Sequence, residues 1–308
     1  MDILLYVFIF VGSLAVLLYA SDRFVDSAEA IGLSLGIPPF IIGVTIIAFG
    51  TSLPELATSI ASVYSGTSEI VIGNVVGSNI TNILLVLGFT AYFGKGIKLE
   101  FDVMDIDMPL LIGSAFLLFL VIRDGDFGIL DNALFIVGLA IFLLNSFKGD
   151  KADKHMRPKV LPRDYIILVI SGVFVYFSAN YCIEAIENLA KIGEIDPHII
   201  ALTVVALGTS LPELIVSIAA ARKGKHAMAV GNVLGSNIFN VYAVMGISGI
   251  FGDLVIPESV ISFDILVMLA ASILFALVCI GGKISKWEGA MLIMFYAYFL
   301  GENIRTVL

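Results

Sequence analysis

Long apolar segments recur along almost the whole chain and are separated by short polar stretches. Most have about the 20 residues that an α-helix needs to cross the hydrocarbon core of a bilayer. Transmembrane strands would be about ten residues long and would alternate apolar with polar positions, whereas these segments are apolar on all sides. The pattern therefore predicts an all-α polytopic membrane protein with ten transmembrane helices, at residues 3–20, 38–64, 70–93, 108–122, 127–147, 165–183, 197–221, 227–251, 262–280 and 287–304.

The composition agrees with this interpretation. Hydrophobic residues make up 59% of the chain and charged residues 14%, against about 45–50% and about 25% in soluble domains. The net charge of −9 leaves no basic face for nucleic acid. Cys182 and Cys279 lie in or at the ends of apolar segments, which suggests neither a disulfide framework nor a thiolate metal site. The first segment lacks the basic residues that precede a signal peptide's apolar core, so it is interpreted as the first span.

A charged linker at residues 148–164 divides the chain into a first five-helix repeat, 1–147, and a second, 165–308. If this linker is cytoplasmic, 14 of the 17 Lys and Arg residues fall on its side of the membrane and three fall opposite. Positively charged loops favour the cytoplasm. The sequence thus predicts a multi-pass protein of the cell membrane with both termini extracellular.

The two halves contain an internal repeat. Residues 43–88 match residues 201–246 at an offset of 158 without a gap, with 23 identities in 46 positions, several of them polar. Five spans separate equivalent residues, so the two copies cross the membrane in opposite directions. Inverted repeats of this kind are common in secondary transporters, whose substrate sites lie near the bilayer midplane at the repeat interface.

Each copy contains the sequence GTSLPE, at residues 50–55 and 208–213. Because an internal proline removes a helix hydrogen bond, we expect the second and seventh helices to kink or break there. Freed carbonyls in a membrane must be buried in protein or line a cavity, so those of Ala48 and Ala206 are candidates to face a cation. A plain proline kink is the alternative.

The glutamates of these motifs, Glu55 and Glu213, are the strongest candidates for ion binding. A mid-span acid is costly and commonly marks an ion or proton pathway. Oppositely directed helices can bring the two together, and a pair of close carboxylates would neutralise one Ca²⁺ or two Na⁺. The alternative is a pair of protonated glutamates hydrogen-bonded to neighbouring helices.

A second repeated motif, GNxxGSN, stands at residues 73–79 and 231–237. Its GxxxG spacing permits close helix packing. Ser78 and Asn82 lie four residues apart on one helix face, as do Ser236 and Asn240, and their oxygens can join the same site. The remaining asparagines of the motif can equally tie helices together.

The available oxygens favour hard cations. Ca²⁺ takes 6–8 oxygen ligands from carboxylates and carbonyls, whereas Zn²⁺ or Cu⁺ would require His or Cys. The three histidines, His155, His198 and His226, lie in loops or at span ends. Na⁺ suits the hydroxyls of the GTSLPE motifs, Thr51, Ser52, Thr209 and Ser210.

The paired GTSLPE and GNxxGSN motifs resemble the α-repeats of the Ca²⁺/cation antiporter superfamily, particularly the prokaryotic sodium/calcium exchangers. The resemblance implies a Na⁺/Ca²⁺ antiporter that works by alternating access, with long, tilted first and sixth helices. It implies Glu55 and Glu213 as Ca²⁺ ligands, with carbonyls from Ala48 and Ala206. It assigns sodium-side hydroxyls to Thr51, Ser52, Thr209, Ser210, Ser78 and Ser236.

One position departs from the family pattern. Related exchangers often have Asp where this chain has Asn240, and the potassium-dependent branch uses an acid there. The resemblance therefore implies K⁺-independent transport, electrogenic if three Na⁺ enter per Ca²⁺. The transported ions are the only partners expected besides the lipid, no cofactor is implied, and a monomer is plausible. A H⁺/Ca²⁺ antiporter and a cation channel remain as alternatives, while an enzyme is disfavoured because the spans hold no Ser/His or Cys/His set.

Overall fold

The computed structural model describes residues 2–99, 103–104, 107–146, 158–193 and 208–307. Helices dominate this part of the chain, which confirms the all-α polytopic class. In chain order the helices are α1 (Asp2–Ser34), α2 (Pro39–Tyr64), α3 (Glu69–Phe93), α4 (Asp107–Ile122), α5 (Ile129–Ser146), α6 (Pro162–Ile192), α7 (Leu211–Arg222), α8 (His226–Ser248), α9 (Val260–Cys279) and α10 (Lys286–Val307).

The helices overlap the predicted spans. Within the described residues, seven are long and apolar enough to cross a membrane, namely α1, α2, α3, α5, α6, α8 and α9. Helix α4 is apolar but has only 16 residues, and α7 is described as a helix only from Leu211 onward. The count of ten crossings and the division at the linker therefore stay predictions; residues 148–157 of that linker lie outside the described part of the chain.

The helices form an inner and an outer set. Helix α8 is almost completely enclosed by protein, and α3 and α2 are largely enclosed, whereas most residues of the apolar parts of α1, α5 and α6 are exposed or half-buried. A lipid-facing helix can be apolar on its outside, which explains exposed side chains such as Leu4, Phe8 and Val169. The polar motifs of the repeat are thereby concentrated on the enclosed helices.

Helices α1 and α6 are the longest, with 33 and 31 residues. At 1.5 Å per residue, such helices are about 45–50 Å long, well beyond the roughly 30 Å hydrocarbon core, so they must tilt or project from it. The two lie against each other along their lengths. Their lengths agree with the expectation drawn from the family resemblance.

Three inner-helix regions depart from α-helical geometry. Residues Gly43–Ile47 of α2 form a π-helical turn, as do Asn82–Val86 of α3 and Asn240–Met245 of α8. The turns in α3 and α8 begin at equivalent positions of the repeat. π-helical turns widen the helix and occur frequently at functional sites. The asparagines that start the turns in α3 and α8, Asn82 and Asn240, are therefore candidates for the site.

The two GTSLPE motifs differ in local structure, and the break predicted at both is not present at the first. Helix α2 remains α-helical through Pro54, and its irregular turn lies at Gly43–Ile47, several residues earlier than the predicted break. In the second copy, Thr209 and Ser210 form a turn and α7 begins at Leu211, with Pro212 in its first turn. Proline is favoured in a first turn because its missing N–H would be unpaired there anyway.

A short sheet joins two loops outside the helices. Strand β1, Ile97–Lys98, pairs antiparallel with β2, Lys283–Ile284. It links the segment after α3 to the turn between α9 and α10. This pair of two-residue strands is a small addition to the predicted all-helical architecture.

Candidate cation-binding site

The two repeated glutamates are buried in the protein interior. Glu55 on α2 and Glu213 on α7 are 1% and 0% exposed. The hydroxyl of Ser52 donates a hydrogen bond to Glu213 Oε1 at 3.2 Å and so joins the two GTSLPE motifs directly. Because Ser52 lies one helical turn before Glu55 on α2, this bond places Glu213 beside the turn that carries Glu55. The structure thus brings together the pair that the inverted repeat predicts.

Three of the four carboxyl oxygens have no hydrogen-bond partner among the described residues. Both oxygens of Glu55 and Oε2 of Glu213 are buried without a hydrogen bond from the described residues. Buried polar atoms are normally hydrogen-bonded, and a buried carboxylate without compensation is strongly destabilising. The three oxygens therefore require protons, water or a cation.

Local sequence explains how the carboxylates are positioned. Glu213 lies in the first turn of α7, directly after Pro212, where the unpaired N–H groups and the helix dipole favour a negative charge. Glu55 instead lies within the continuous helix of α2, directly after Pro54. The backbone environments of the two acids differ, although their sequence motifs are identical.

A cluster of oxygens surrounds Thr51 on α2. Its Oγ1 lies 3.3 Å from the Ala48 carbonyl oxygen, 3.2 Å from Asn232 Oδ1 and 3.5 Å from Ser236 Oγ. Thr51 has a single hydroxyl hydrogen, which cannot serve every neighbour. The cluster consequently presents several lone pairs to one small volume, which is the arrangement that a hard cation requires.

A corresponding pair of hydroxyls joins Ser78 of the first copy to Thr209 of the second. Ser78 Oγ lies 3.2 Å from Thr209 Oγ1 and donates to Asn74 Oδ1 at 3.4 Å. Since Ser78 is the repeat equivalent of Ser236, and Thr209 that of Thr51, the two clusters are related by the inverted repeat. The predicted carbonyl of Ala206 lies outside the described residues.

Two asparagine–serine bonds brace the clusters. Asn74 Nδ2 donates to Ser59 Oγ at 3.1 Å and to the Glu55 carbonyl at 3.3 Å, and Asn232 Nδ2 donates to Ser217 Oγ at 2.9 Å. These bonds tie α3 to α2 and α8 to α7. Sequence reasoning missed the two serines, although they are identical at the repeat offset of 158.

Further amides lie where the π-helical turns begin. Asn240 Nδ2 donates to Asn79 Oδ1 at 3.2 Å, and Asn79 Nδ2 donates to the Asn237 carbonyl at 3.2 Å. Asn240 Oδ1 and both polar side-chain atoms of Asn82 are buried without a partner among the described residues. The buried Ser210 hydroxyl is also unpaired in this part of the chain. These neutral groups add donor oxygens without adding charge.

Close backbone packing holds the elements of the site in place. A Cβ at Gly231 would lie 2.5 Å from the Phe40 carbonyl oxygen, and one at Gly235 would lie 2.3 Å from that of Val44. The GxxxG spacing of α8 therefore packs against the π-helical turn of α2, as its small residues permit. This contact fixes Asn232 and Ser236 opposite Thr51.

The donor set distinguishes among metals. No group of three or more His, Cys, Asp or Glu suited to a metal occurs among the described residues. His226 begins α8, while His155 and His198 lie outside the described part. A cation here would therefore be held by two carboxylates and neutral oxygens, which suits Na⁺ or Ca²⁺ better than a transition metal.

Comparisons with known proteins agree with this chemistry. A family model described as "Sodium/calcium exchanger protein" matches residues 5–148 and 164–304. The sodium/calcium exchanger MaX1 of Methanosarcina acetivorans is 34% identical, over 93% of this chain and 95% of its own. The inner membrane protein YrbG of Escherichia coli is also 34% identical, over 86% of each chain. The structure of the sodium–calcium exchanger NCX_Mj, soaked with Na⁺ and Sr²⁺, matches with a TM-score of 0.84 and 30% identity, over 97% of this chain and 99% of that one.

Proposed function

This chain belongs to the sodium/calcium exchanger family, and we propose that it moves Ca²⁺ out of the cell against inward Na⁺. The exchange is K⁺-independent and electrogenic, and it proceeds by alternating access of one buried site to the two sides of the membrane. Both chain termini lie outside the cytoplasm. The protein carries no resident cofactor and performs no covalent chemistry.

The observation that carries this proposal is the buried pair Glu55 and Glu213, with three of its four oxygens unpaired among the described residues. One Ca²⁺ neutralises the pair and relieves the repulsion between two carboxylates in a low-dielectric region. Two bidentate carboxylates with neighbouring carbonyl, hydroxyl and amide oxygens can supply the 6–8 ligands that Ca²⁺ takes.

Sodium uses the same carboxylates together with the flanking hydroxyl clusters. One cluster contains Thr51, Ser236 and the Ala48 carbonyl, and the other contains Thr209 and Ser78. Ser52 and Ser210, one in each motif, complete the hydroxyl set beside the carboxylates. Because Na⁺ and Ca²⁺ need overlapping oxygens, occupancy by one excludes the other, and exclusion of this kind is the basis of exchange.

Amides at Asn82 and Asn240 set the charge of the site. An acid at position 240 would add a third negative charge or a proton-binding group, whereas an amide adds neither. The site therefore balances the two charges of Ca²⁺ with two carboxylates. If three Na⁺ replace one Ca²⁺, one net charge crosses per cycle, and each 100 mV of potential contributes about 2.3 kcal/mol.

Flux measurements test the proposal. Purified protein in proteoliposomes loaded with Na⁺ should take up ⁴⁵Ca²⁺ when diluted into Na⁺-free buffer, and uptake should respond to an imposed potential. Replacing internal Na⁺ by K⁺ should abolish uptake, and external K⁺ should leave Na⁺-driven uptake unchanged. Uptake that requires a pH gradient but not Na⁺ would contradict the proposal, as would single-channel Ca²⁺ currents in planar bilayers.

A further inference from the structure

Two lysines in the turn between α7 and α8 form ion pairs with acidic residues in the C-terminal half of α1. Lys223 Nζ lies 2.9 Å from Asp26 Oδ2 and 3.3 Å from Asp22 Oδ1, and it donates to the Asp22 carbonyl at 2.9 Å. Lys225 Nζ lies 2.6 Å from Asp26 Oδ1 and 2.9 Å from Glu29 Oε2. The three acids follow one face of α1, at spacings of four and three residues.

The lysine side chains are more enclosed than the acids they bind. Lys225 exposes 15% of its side chain and Lys223 26%, whereas Asp26 exposes 48%. Burial by itself lowers the pKa of Lys225, but the hydrogen bonds and charges of Asp26 and Glu29 outweigh it and raise the pKa above its usual value. Lys225 therefore stays charged at neutral pH. Ion pairs that share partners in a network hold their geometry better than isolated surface pairs.

Apolar side chains also pack across the boundary between the long outer helices and the inner helices. Leu17, Val25 and Ala28 of α1 pack in one cluster with Ile47 of α2 and Val216 of α7. Hydroxyls on the outer helices bond to carbonyls of their own helices, as at Ser13, Ser171 and Ser178. Within the described residues, the side-chain polar bonds from the outer pair to the inner helices are those of the two lysines.

Among the described residues, the repeat-equivalent positions do not form a matching set of ion pairs. At the offset of 158, Asp26 and Glu29 correspond to the acids Glu184 and Glu187 of α6, but Lys223 and Lys225 correspond to Ser65 and Thr67. The hydroxyls of Ser65 and Thr67 bond to the carbonyls of Ala61 and Ser62 at the end of their own helix. Two of the three acids are thus repeated, and neither lysine is.

We propose that Lys223 and Lys225 form a one-sided clamp that holds α1 against the inner helices and biases the alternating-access equilibrium toward the state closed on that face. The inference rests on the proposed function, because only a transporter with two accessible states has such an equilibrium. The positive-inside rule predicts the clamped face to be cytoplasmic. The lysines are positioning residues, since they act through α1 and do not contact the ion site.

A clamp on one face changes the apparent Ca²⁺ affinity at the two faces in opposite directions. The apparent affinity for an ion is its intrinsic affinity scaled by the fraction of molecules open to that side. Releasing the clamp should lower the half-saturating Ca²⁺ concentration at the clamped face and raise it at the other. Loss of a partly exposed ion-pair network should change the ratio of the two concentrations by about five- to tenfold.

The test is Ca²⁺–Ca²⁺ exchange in membrane vesicles of known, opposite orientations, which gives the half-saturating concentration at each face. The double variant Lys223→Gln with Lys225→Gln should show the shifted ratio. The conservative pair Lys223→Arg with Lys225→Arg should have the wild-type ratio. Ser65→Ala with Thr67→Ala on the opposite face should also leave the wild-type ratio unchanged. A purely structural role would lower the amount of active protein without moving the ratio.

A folded, active Gln variant with the wild-type ratio overturns the clamp. If that variant does not fold, Asp22→Asn with Asp26→Asn and Glu29→Gln removes the four ion pairs from the side of α1, and an unchanged ratio in this variant also overturns the clamp. Wild-type protein that transports no Ca²⁺ would instead contradict the proposed function, so the two failures are distinguishable.

Discussion

Replacing Gly235 by Ala tests whether the close approach of α2 and α8 builds the sodium-side cluster. The added Cβ would lie 2.3 Å from the Val44 carbonyl oxygen, 2.7 Å from Val44 Cα and 2.8 Å from Ala48 Cβ. The shortest of these is 0.7 Å inside the 3.0 Å limit that Cβ contacts respect. Two of the three atoms belong to the backbone, so no side-chain rotation relieves the clash and the helices must separate.

Overpacking of this kind typically costs about 1–3 kcal/mol, which exceeds the gain of up to about 1 kcal/mol from replacing glycine within a helix. Separation of the helices would also lengthen the contacts of Thr51 with Asn232 and Ser236, which already measure 3.2 and 3.5 Å. We therefore expect lower stability together with a higher Na⁺ concentration for half-maximal exchange.

Thermal stability in detergent, followed by the loss of the monodisperse size-exclusion peak, measures the first effect. The Na⁺ dependence of ⁴⁵Ca²⁺ flux measures the second. Gly113→Ala on α4 is the matched control, because Gly113 is exposed and a Cβ there meets no atom within 4 Å. If Gly235→Ala has the melting temperature and Na⁺ dependence of Gly113→Ala, the packing argument is wrong.

Four further substitutions probe the site. Ser52→Ala removes the hydrogen bond to Glu213. Since hydrogen bonds to charged groups contribute about 1.5–3 kcal/mol, Ca²⁺ binding measured by calorimetry should weaken about tenfold or more. An unchanged Ca²⁺ affinity would show that Ser52 does not position the carboxylate. Thr51→Val and Thr209→Val keep the side-chain shape but remove an oxygen. In flux assays, each should therefore raise the half-activating Na⁺ concentration more than the half-saturating Ca²⁺ concentration. Equal effects on both concentrations would contradict separate sodium clusters. Asn240→Asp adds a proton-binding group, so exchange measured between pH 6 and 9 should become more pH-dependent than in the wild type; identical pH profiles would remove this position from the ion pathway.

Sequence reasoning predicts the chemistry of the site because the repeat is polar. Apolar segments alone would predict spans, but not which faces meet. The identical motifs at an offset of 158 fix Glu55 and Glu213 as partners, and the structure places Ser52 of one motif against Glu213 of the other. The same symmetry pairs Thr51 with Ser236 and Thr209 with Ser78.

Other features depend on packing that no local pattern specifies. The helix of α2 continues through Pro54, and the irregular turn lies at Gly43–Ile47, where α8 approaches closely. The proline predicts a departure from regular α-helical geometry, but the position of the irregular turn depends on tertiary packing. The bonds from Lys223 to α1 join residues about 200 positions apart and lack a counterpart in the first repeat, so self-comparison does not reveal them.

Equilibrium ⁴⁵Ca²⁺ binding to the purified protein in Na⁺-free buffer tests the shared-carboxylate site most directly. The wild type should bind one Ca²⁺ per chain, and Na⁺ should displace it. Glu55→Gln and Glu213→Gln should each abolish the binding while retaining the wild-type size-exclusion profile. Undiminished Ca²⁺ binding by either variant would show that the ion is not held between these two side chains.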